Sequence, residues 1–410
     1  MSAIKLSHAT SKVIGKIEVP GSKSESNRLL LLKHLYFPNL NIGKISDSRD
    51  TSFMKAALES ENSEINIGDA GTAMRFNTAF NATKAGRNIT LSGSERMHER
   101  PIGILVDALN KLGAKITYLD KEGYPPLKIE GQQLAGGTLE IDGSVSSQFI
   151  SALMMIGPGM KEGIHLKLKG FSVSAPYIYL TANLMRKLGF DAKLDEEDII
   201  IPHQKAKEIQ SSVVEPDWSA ASYWYAIALL TDEAEIYLPG FLQHSLQGDA
   251  SVRGLFEPLG IQSLFIGSGF RLKKGEVKQQ RFDINLVHNP DLAQTLAVVF
   301  AAKNLPAKIT GLQTLRIKET DRLKALKTEL EKTGAEIEIG DDFLEVKKGI
   351  QNLEGVIFDT YEDHRMAMAF APLALMAPIT INNPEVVAKS YQSFWEDLEA
   401  VGFLVSWDFS

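Results

Sequence analysis

The chain has no cysteine, which excludes disulfides, thiolate nucleophiles and thiolate metal ligands together and fits a reducing compartment. It also lacks any apolar run of about 18 residues, the length a membrane-spanning helix needs. Its opening, MSAIKLSHATSKVIGKIEVPGSK, has neither the apolar core of a secretory leader nor the Arg-rich look of a transit peptide, so the expectation is a cytoplasmic protein with no membrane partner. Positive charge is in deficit: 44 Lys and Arg stand against 51 Asp and Glu, a net charge of −7. Non-specific nucleic-acid binding relies on a broad basic face, which disfavours nucleic acid as a partner. An anionic substrate would have to be met by a local cluster of cations. The sequence has no Walker-type phosphate loop, no dinucleotide fingerprint and no metal-ligand cluster, and no metal or cofactor is expected.

What is present is an ordinary globular composition, 44% hydrophobic and 23% charged, over 410 residues. A single core usually stops growing at about 250–300 residues, so two domains with a hinge are expected. One pattern recurs, a short amphipathic helix ending near a glycine and then a β-like stretch: VDALNKLGAKITYL from Val106, TANLMRKLGFDAKL from Thr181, VRGLFEPLGIQSLF from Val252, LKTELEKTGAEIEI from Leu326 and WEDLEAVGFLVSW from Trp395. The glycines Gly113, Gly189, Gly260, Gly334 and Gly402 are spaced by 76, 71, 74 and 68 residues. Such glycines suit a left-handed helix end, and the β-branched residues after them suit a returning strand. A sixth copy, FMKAALESENSEINI from Phe53, lacks the glycine. Helix, glycine and strand are common in α/β proteins generally. The regular spacing argues further, for six α/β units in two sets of three, with the break near residue 215 after IPHQKAKEIQSSVVEPD.

Six segments carry candidate chemistry. KIEVPGSKSESNRLLLLKHL reads as strand, turn and a helix beginning near Ser24 to Asn27; Ser22 and Glu25 could form a capping box, and Lys23 and Arg28 stand beside a helix start that favours an anion. INIGDAGTAMRFNTAF repeats the plan, with Gly68 and Gly71 allowing close backbone approach, Thr72 at a helix start and Arg75 one turn in. In GSERMHERPIGILVDAL, Arg96 and Arg100 would share a face if the segment is helical, and two guanidinium groups can grip a carboxylate or phosphate. Ser146, Ser147 and Gln148 offer neutral donors before an apolar helix. In RIKETDRL, Lys318, Glu319, Asp321 and Arg322 are expected to open the helix running towards Leu330; a bound anion would help protonate Glu319, suiting it as a general acid. YEDHRMAMAF places Arg365 after Asp363 and His364 at another helix start, and VVAKSYQSFWEDL sets Lys389 before the last helix. His364 alone reads as a structural hydrogen-bonder. Each segment in isolation could be no more than a capped helix with a solvated, charged first turn.

In order along the chain, PGSKSxSNR, DAGTAMR, RMxERPI, SSQF, SAPYI, KETDRL, DHRMAM and AKSY, from Pro20 to Tyr391, resemble the motif series of the EPSP synthase family of enolpyruvyl transferases. The resemblance implies an α/β fold of two similar domains, each of three βαβαββ units arranged as an inside-out α/β barrel. The N-terminal domain would span 20–215, the C-terminal domain 1–19 plus 216–410, with the active site in the interdomain cleft. It implies a monomer that moves the enolpyruvyl group of phosphoenolpyruvate to the 5-hydroxyl of shikimate 3-phosphate in aromatic amino acid biosynthesis, without a cofactor.

Carried over by motif, Lys23, Gly71, Arg100, Gln148, Arg322, Arg365 and Lys389 would bind phosphoenolpyruvate. Lys23, Ser24, Arg28, Ser146, Ser147, Gln148, Ser174, Asp291, Thr314 and Lys318 would hold shikimate 3-phosphate. Glu319 would protonate the methylene carbon, and Asp291, with Lys23 assisting, would take the hydroxyl proton. The chain departs from the family pattern at Glu25, Phe76, Thr314 and Tyr179. Gly71 would leave the pocket open to glyphosate. Two rivals stand beside this reading: the sister enzymes acting on UDP-N-acetylglucosamine, which usually carry a loop cysteine absent here, and a non-catalytic α/β repeat protein.

Overall fold

The computed structural model describes residues 2–142, 146–170, 175–195 and 197–408. The chain forms two compact units, Gly21–Val214 and Met1–Pro20 together with Glu215–Ser410. Each is organised round three buried helices that pack on one another: α1 (Lys23–Tyr36), α2 (Gly71–Ala82) and α3 (Ser147–Ile156) in the first, α4 (Trp218–Leu230), α5 (Ala293–Ala302) and α6 (His364–Phe370) in the second. Their sequences explain the placement. WSAASYWYAIALL and AQTLAVVFAA are apolar on all sides, and a helix apolar all round has no face to give to water. Trp218, Trp224, Tyr223 and Tyr225 of α4 are accordingly almost wholly inaccessible.

Among the described residues, five four-stranded sheets share one topology, a parallel pair extended by two antiparallel strands. In the sheet of Glu64–Asn66, Asn88–Ser92, Leu127–Glu130 and Lys115–Tyr118, the first two strands run parallel and the remaining pairings are antiparallel. The strands alternate buried and exposed residues, as at Leu127–Glu130 and Gly137–Asp142, so each sheet turns one face inward. The amino-terminal residues complete two sheets of the second unit. Lys12–Lys16 runs parallel to Glu233–Pro239, and Ala3–His8 lies antiparallel between Ile379–Asn382 and Phe403–Asp408.

The five recurring glycines all take left-handed backbone at φ 102°, 81°, 94°, 77° and 98° in chain order, ending a helix and turning into the hairpin strand. The copy lacking glycine behaves differently. Its helix, Arg49–Glu59, runs on to Glu64–Asn66, which does not fold back but begins the next sheet, parallel to Asn88–Ser92. The sixth unit therefore has only a two-stranded sheet, Asn41–Gly43 beside Ser211–Val213. No described helix is long and apolar enough to cross a membrane.

Candidate active site

Four of the six buried helices, α1, α2, α3 and α6, begin in a segment singled out from the sequence, and α5 follows the turn that holds Asp291, so the anion-favouring N–H ends of these five carry candidate residues. In the unit Gly21–Val214, Ser22 caps α1 by accepting the Glu25 N–H at 3.4 Å, and the helix starts at Lys23, slightly earlier than its sequence suggests. Lys23 Nζ lies 3.0 Å from Asp50 Oδ2 with both side chains largely covered. Arg28 is 3% exposed. It donates to Thr181 Oγ1 at 2.7 Å, Ser151 Oγ at 3.2 Å and the carbonyls of Ser24 and Tyr177. Its guanidinium also lies against the wholly buried Phe76 ring, and burial lowers its pKa to about 10. Arg28 thus braces α1 against α3 and the helix Ala175–Lys187.

α2 begins at Gly71, and the guanidinium of Arg100 fills the space where a side chain would stand: a Cβ there would meet Arg100 Nη2 at 2.6 Å. Only glycine permits that approach. The condition for Arg96 and Arg100 to share a helical face, a helix reaching Arg100, is not met. The helix is a single turn, Glu95–His98; Arg96 pairs with Glu99 on the surface at 2.6 Å, while Arg100 lies against Gly71. Ser146 caps α3 through the Gln148 N–H, Ser147 is buried, and Gln148 Nε2 donates to Thr72 Oγ1 at 3.1 Å, which joins the starts of α3 and α2. Tyr179 is 52% exposed. Ser174 lies outside the described residues.

In the second unit the acids and arginines meet. Asp291 sits in the turn Pro290–Leu292 that leads into α5, held at 3.0 Å by Arg322 Nη1 and at 2.8 Å by Arg365 Nη2. Arg322, 2% exposed in its side chain, is the hub: Nε donates to Asp363 Oδ2 at 2.7 Å and Nη2 to Glu319 Oε2 at 2.8 Å. Burial alone would lower its pKa, but Asp363, Glu319 and Asp291 outweigh that and raise it. Asp291 shows the converse: burial would raise its pKa, and Arg365, Lys318 and Arg322 together hold it far below the usual carboxylate range. Such a clamped carboxylate is fixed in position and weakly basic. Lys318 and Glu319 do not open a helix, contrary to the sequence reading. They lie between the turn Gln313–Ile317 and the helix Arg322–Glu331, whose N-cap is Asp321. The chain bends over Lys318–Thr320, and Glu319 folds back onto Arg322. Thr314, in the same turn, has a buried hydroxyl with no partner among the described residues. Lys389 donates to the Glu362 carbonyl at 2.8 Å.

Four participants escaped the sequence reading. Asp363, wholly buried, caps α6 and anchors Arg322; its DHR context was visible, but the arginine it would hold was 41 residues away. Tyr223 lies on α4 facing Arg365 Nη1 at 3.5 Å. Asp50 anchors Lys23. Asp249 accepts from Ser219 and, at 3.4 Å, from Asn289 Nδ2; burial first and the charge of Asp291 second push its pKa up to about 6. The last three offered only single polar residues in otherwise unremarkable stretches.

Comparisons with known proteins give the chain's family. The family model of EPSP synthase (3-phosphoshikimate 1-carboxyvinyltransferase) matches residues 54–398. The 3-phosphoshikimate 1-carboxyvinyltransferase of Bacteroides fragilis strain YCH46 is 46% identical over 398 residues, covering 96% of this chain and 97% of that protein. That of Sulfurovum sp. strain NBC37-1 is 37% identical over 416 residues, covering 94% and 96%. The solved EPSP synthase of Acinetobacter baumannii superposes with a TM-score of 0.78 over the full length of both chains at 20% identity, a likeness of fold. The α/β architecture, the ordered motifs and these matches together make the chain a member of the EPSP synthase family.

Proposed function

We propose that Asp291, Glu319 and Lys23 carry, on this chain, the reaction of its family: transfer of the enolpyruvyl group of phosphoenolpyruvate to the 5-hydroxyl of shikimate 3-phosphate, releasing phosphate. The observation that supports it best is the cluster in which Arg322 and Arg365 grip Asp291 while Arg322 also holds Glu319. Two cations and two carboxylates are then in one place, the minimum for binding an anion and moving protons to and from it.

The acids begin in the wrong state for their tasks, and an anionic substrate corrects this. Phosphoenolpyruvate, with a carboxylate and a phosphate, competes with Asp291 and Glu319 for Arg322 and Arg365. Once the guanidinium charge is shared with the substrate, Asp291 regains basicity towards the 5-hydroxyl. Glu319 loses the charge that keeps it ionised and can deliver a proton to the methylene carbon. Attack of the hydroxyl oxygen on C2 gives a tetrahedral, phosphate-bearing intermediate; removal of a methyl proton and departure of phosphate then restore the double bond. Most of the rate should come from the fixed positive charge, which needs no reorganisation as negative charge moves.

In the same proposal Lys23, Gly71, Arg100, Gln148, Arg322, Arg365 and Lys389 receive phosphoenolpyruvate. Lys23, Ser24, Ser146, Ser147, Gln148, Ser174, Asp291, Thr314 and Lys318 receive shikimate 3-phosphate. Arg28, also expected among the latter, has most of its donors committed to protein oxygens, so its part is to hold Ser24 and α3 in place. The reading takes the chain as a cytoplasmic monomer acting on these two small molecules. Glu319→Gln and Asp291→Asn should each lower kcat by about 10²-fold or more with both substrates still bound. Turnover within a few fold of the parent would remove that residue from its role.

A further inference from the structure

The chain enters α6 through a turn that its own residues resist. Thr360 O accepts the Asp363 N–H at 2.9 Å, and the two residues between, Tyr361 and Glu362, both have left-handed φ, 53° and 56°. This is the mirror-image β-turn that ordinarily demands glycine, asparagine or aspartate at its centre. Neither a tyrosine nor a glutamate takes that conformation without being held there.

The hold is visible. Tyr361 OH donates to Glu329 Oε1 at 2.6 Å, and Glu329 is completely buried. The other oxygen of Glu329 accepts the Asp359 N–H at 2.9 Å and the Lys332 ammonium at 2.7 Å. Glu329 stands seven residues after Arg322 on the helix Arg322–Glu331, so both lie on one face. That face grips the turn at both ends: Glu329 takes Asp359 and Tyr361, and Arg322 takes Asp363. What the turn presents is functional. Its Glu362 carbonyl receives Lys389, and Asp363 Oδ1 accepts the Arg365 N–H at 2.9 Å. The Glu362 carboxylate, 72% exposed and 4.0 Å from Lys389, adds little to this contact.

We infer that Tyr361 is a positioning residue: its hydroxyl, tied to Glu329, holds an unfavourable turn in the one shape that aims Arg365 and Lys389 at phosphoenolpyruvate. The inference rests on the assignment of those two cations to that substrate. Cutting the tether lets the turn relax towards conformations that tyrosine and glutamate prefer. Supplying a glycine at 362 removes the strain at one of the two left-handed positions, lowers the cost of the held shape and so substitutes in part for the tether.

The test uses the full chain and four proteins: the parent, Tyr361→Phe, Tyr361→Phe with Glu362→Gly, and Arg365→Ala. For each, KM for both substrates, kcat and Tm are measured. Tyr361→Phe keeps the partly exposed ring and is expected to raise KM for phosphoenolpyruvate about tenfold, with KM for shikimate 3-phosphate within twofold. The double variant is expected to return to within about threefold of the parent. A KM for phosphoenolpyruvate within twofold in Tyr361→Phe overturns the inference. So does a double variant no better than the single one, or an equal rise for both substrates tracking a lower Tm. If Arg365→Ala leaves phosphoenolpyruvate binding unchanged, the assignment beneath the inference falls and takes it down; a large rise in that variant beside a silent Tyr361→Phe refutes the positioning role alone.

Discussion

Arg322 shows what one side chain can organise: a guanidinium 2% exposed, with a different carboxylate on each of its three nitrogens. Asp249 is the opposite case, a buried carboxyl near the charge of Asp291 whose hydrogen bonds come from the neutral donors Ser219 and Asn289. Its pKa rises on folding from an ordinary 3.8 to about 6, so the folded state binds the extra proton and stability falls as pH rises across that interval. Asp249→Asn should therefore gain Tm relative to the parent as pH is taken from 4 through 6, with the gain level above about pH 7; a gain independent of pH would show that burial of the charge is not the cause. Gly71 makes a second residue-scale prediction. A methyl there would press on Arg100 at 2.6 Å, so Gly71→Ala should raise KM for phosphoenolpyruvate and weaken glyphosate inhibition while sparing KM for shikimate 3-phosphate. Equal effects on both substrates would place Arg100 elsewhere in the chemistry.

Among the elements, the helix ends decide most. The five repeat glycines were legible because left-handed backbone leaves a residue-type signature, and their costs of substitution should differ in a readable way. At Gly189 an added Cβ comes no nearer than 3.6 Å to the flexible Lys207, leaving the backbone penalty of roughly 1–2 kcal/mol. At Gly260 it would lie 2.7 Å from the Glu276 carbonyl, so Gly260→Ala should cost clearly more in urea unfolding than Gly189→Ala. Equal costs would mean that the chain yields at Glu276. Elements whose shape comes from a distant partner were not legible. Glu319 reads as a helix-opening residue in RIKETDRL by propensity, but the chain bends at Lys318–Thr320 and Arg322, itself fixed by Asp291 and Asp363, draws the Glu319 carboxylate to it. Arg96 and Arg100 read as a pair by spacing, but the helix stops at His98, and nothing local announces that Arg100 will lie against Gly71. The turn at Tyr361 and Glu362 is similar: its sequence argues against the conformation, and Glu329 and Arg322 impose it.

For the whole molecule, periodicity of about 70 residues carried the repeat count, while strand partnership did not follow from it. Ala3–His8 and Lys12–Lys16 join sheets whose other strands come more than 200 residues later, and no local pattern encodes such a pairing. The motif series read the family from the sequence, since eight short segments in order are far more specific than any one of them. Asp249 and Tyr223, outside those motifs, and the pairing of Asp363 with Arg322 became visible only when folding brought the helix starts together.

The central claim is the reaction itself, and phosphate release from phosphoenolpyruvate tests it most directly, with shikimate 3-phosphate and UDP-N-acetylglucosamine offered in parallel as acceptors. Release with shikimate 3-phosphate alone, falling about 10²-fold in Glu319→Gln, is the predicted result; release only with the sugar nucleotide, or with neither acceptor, would contradict it.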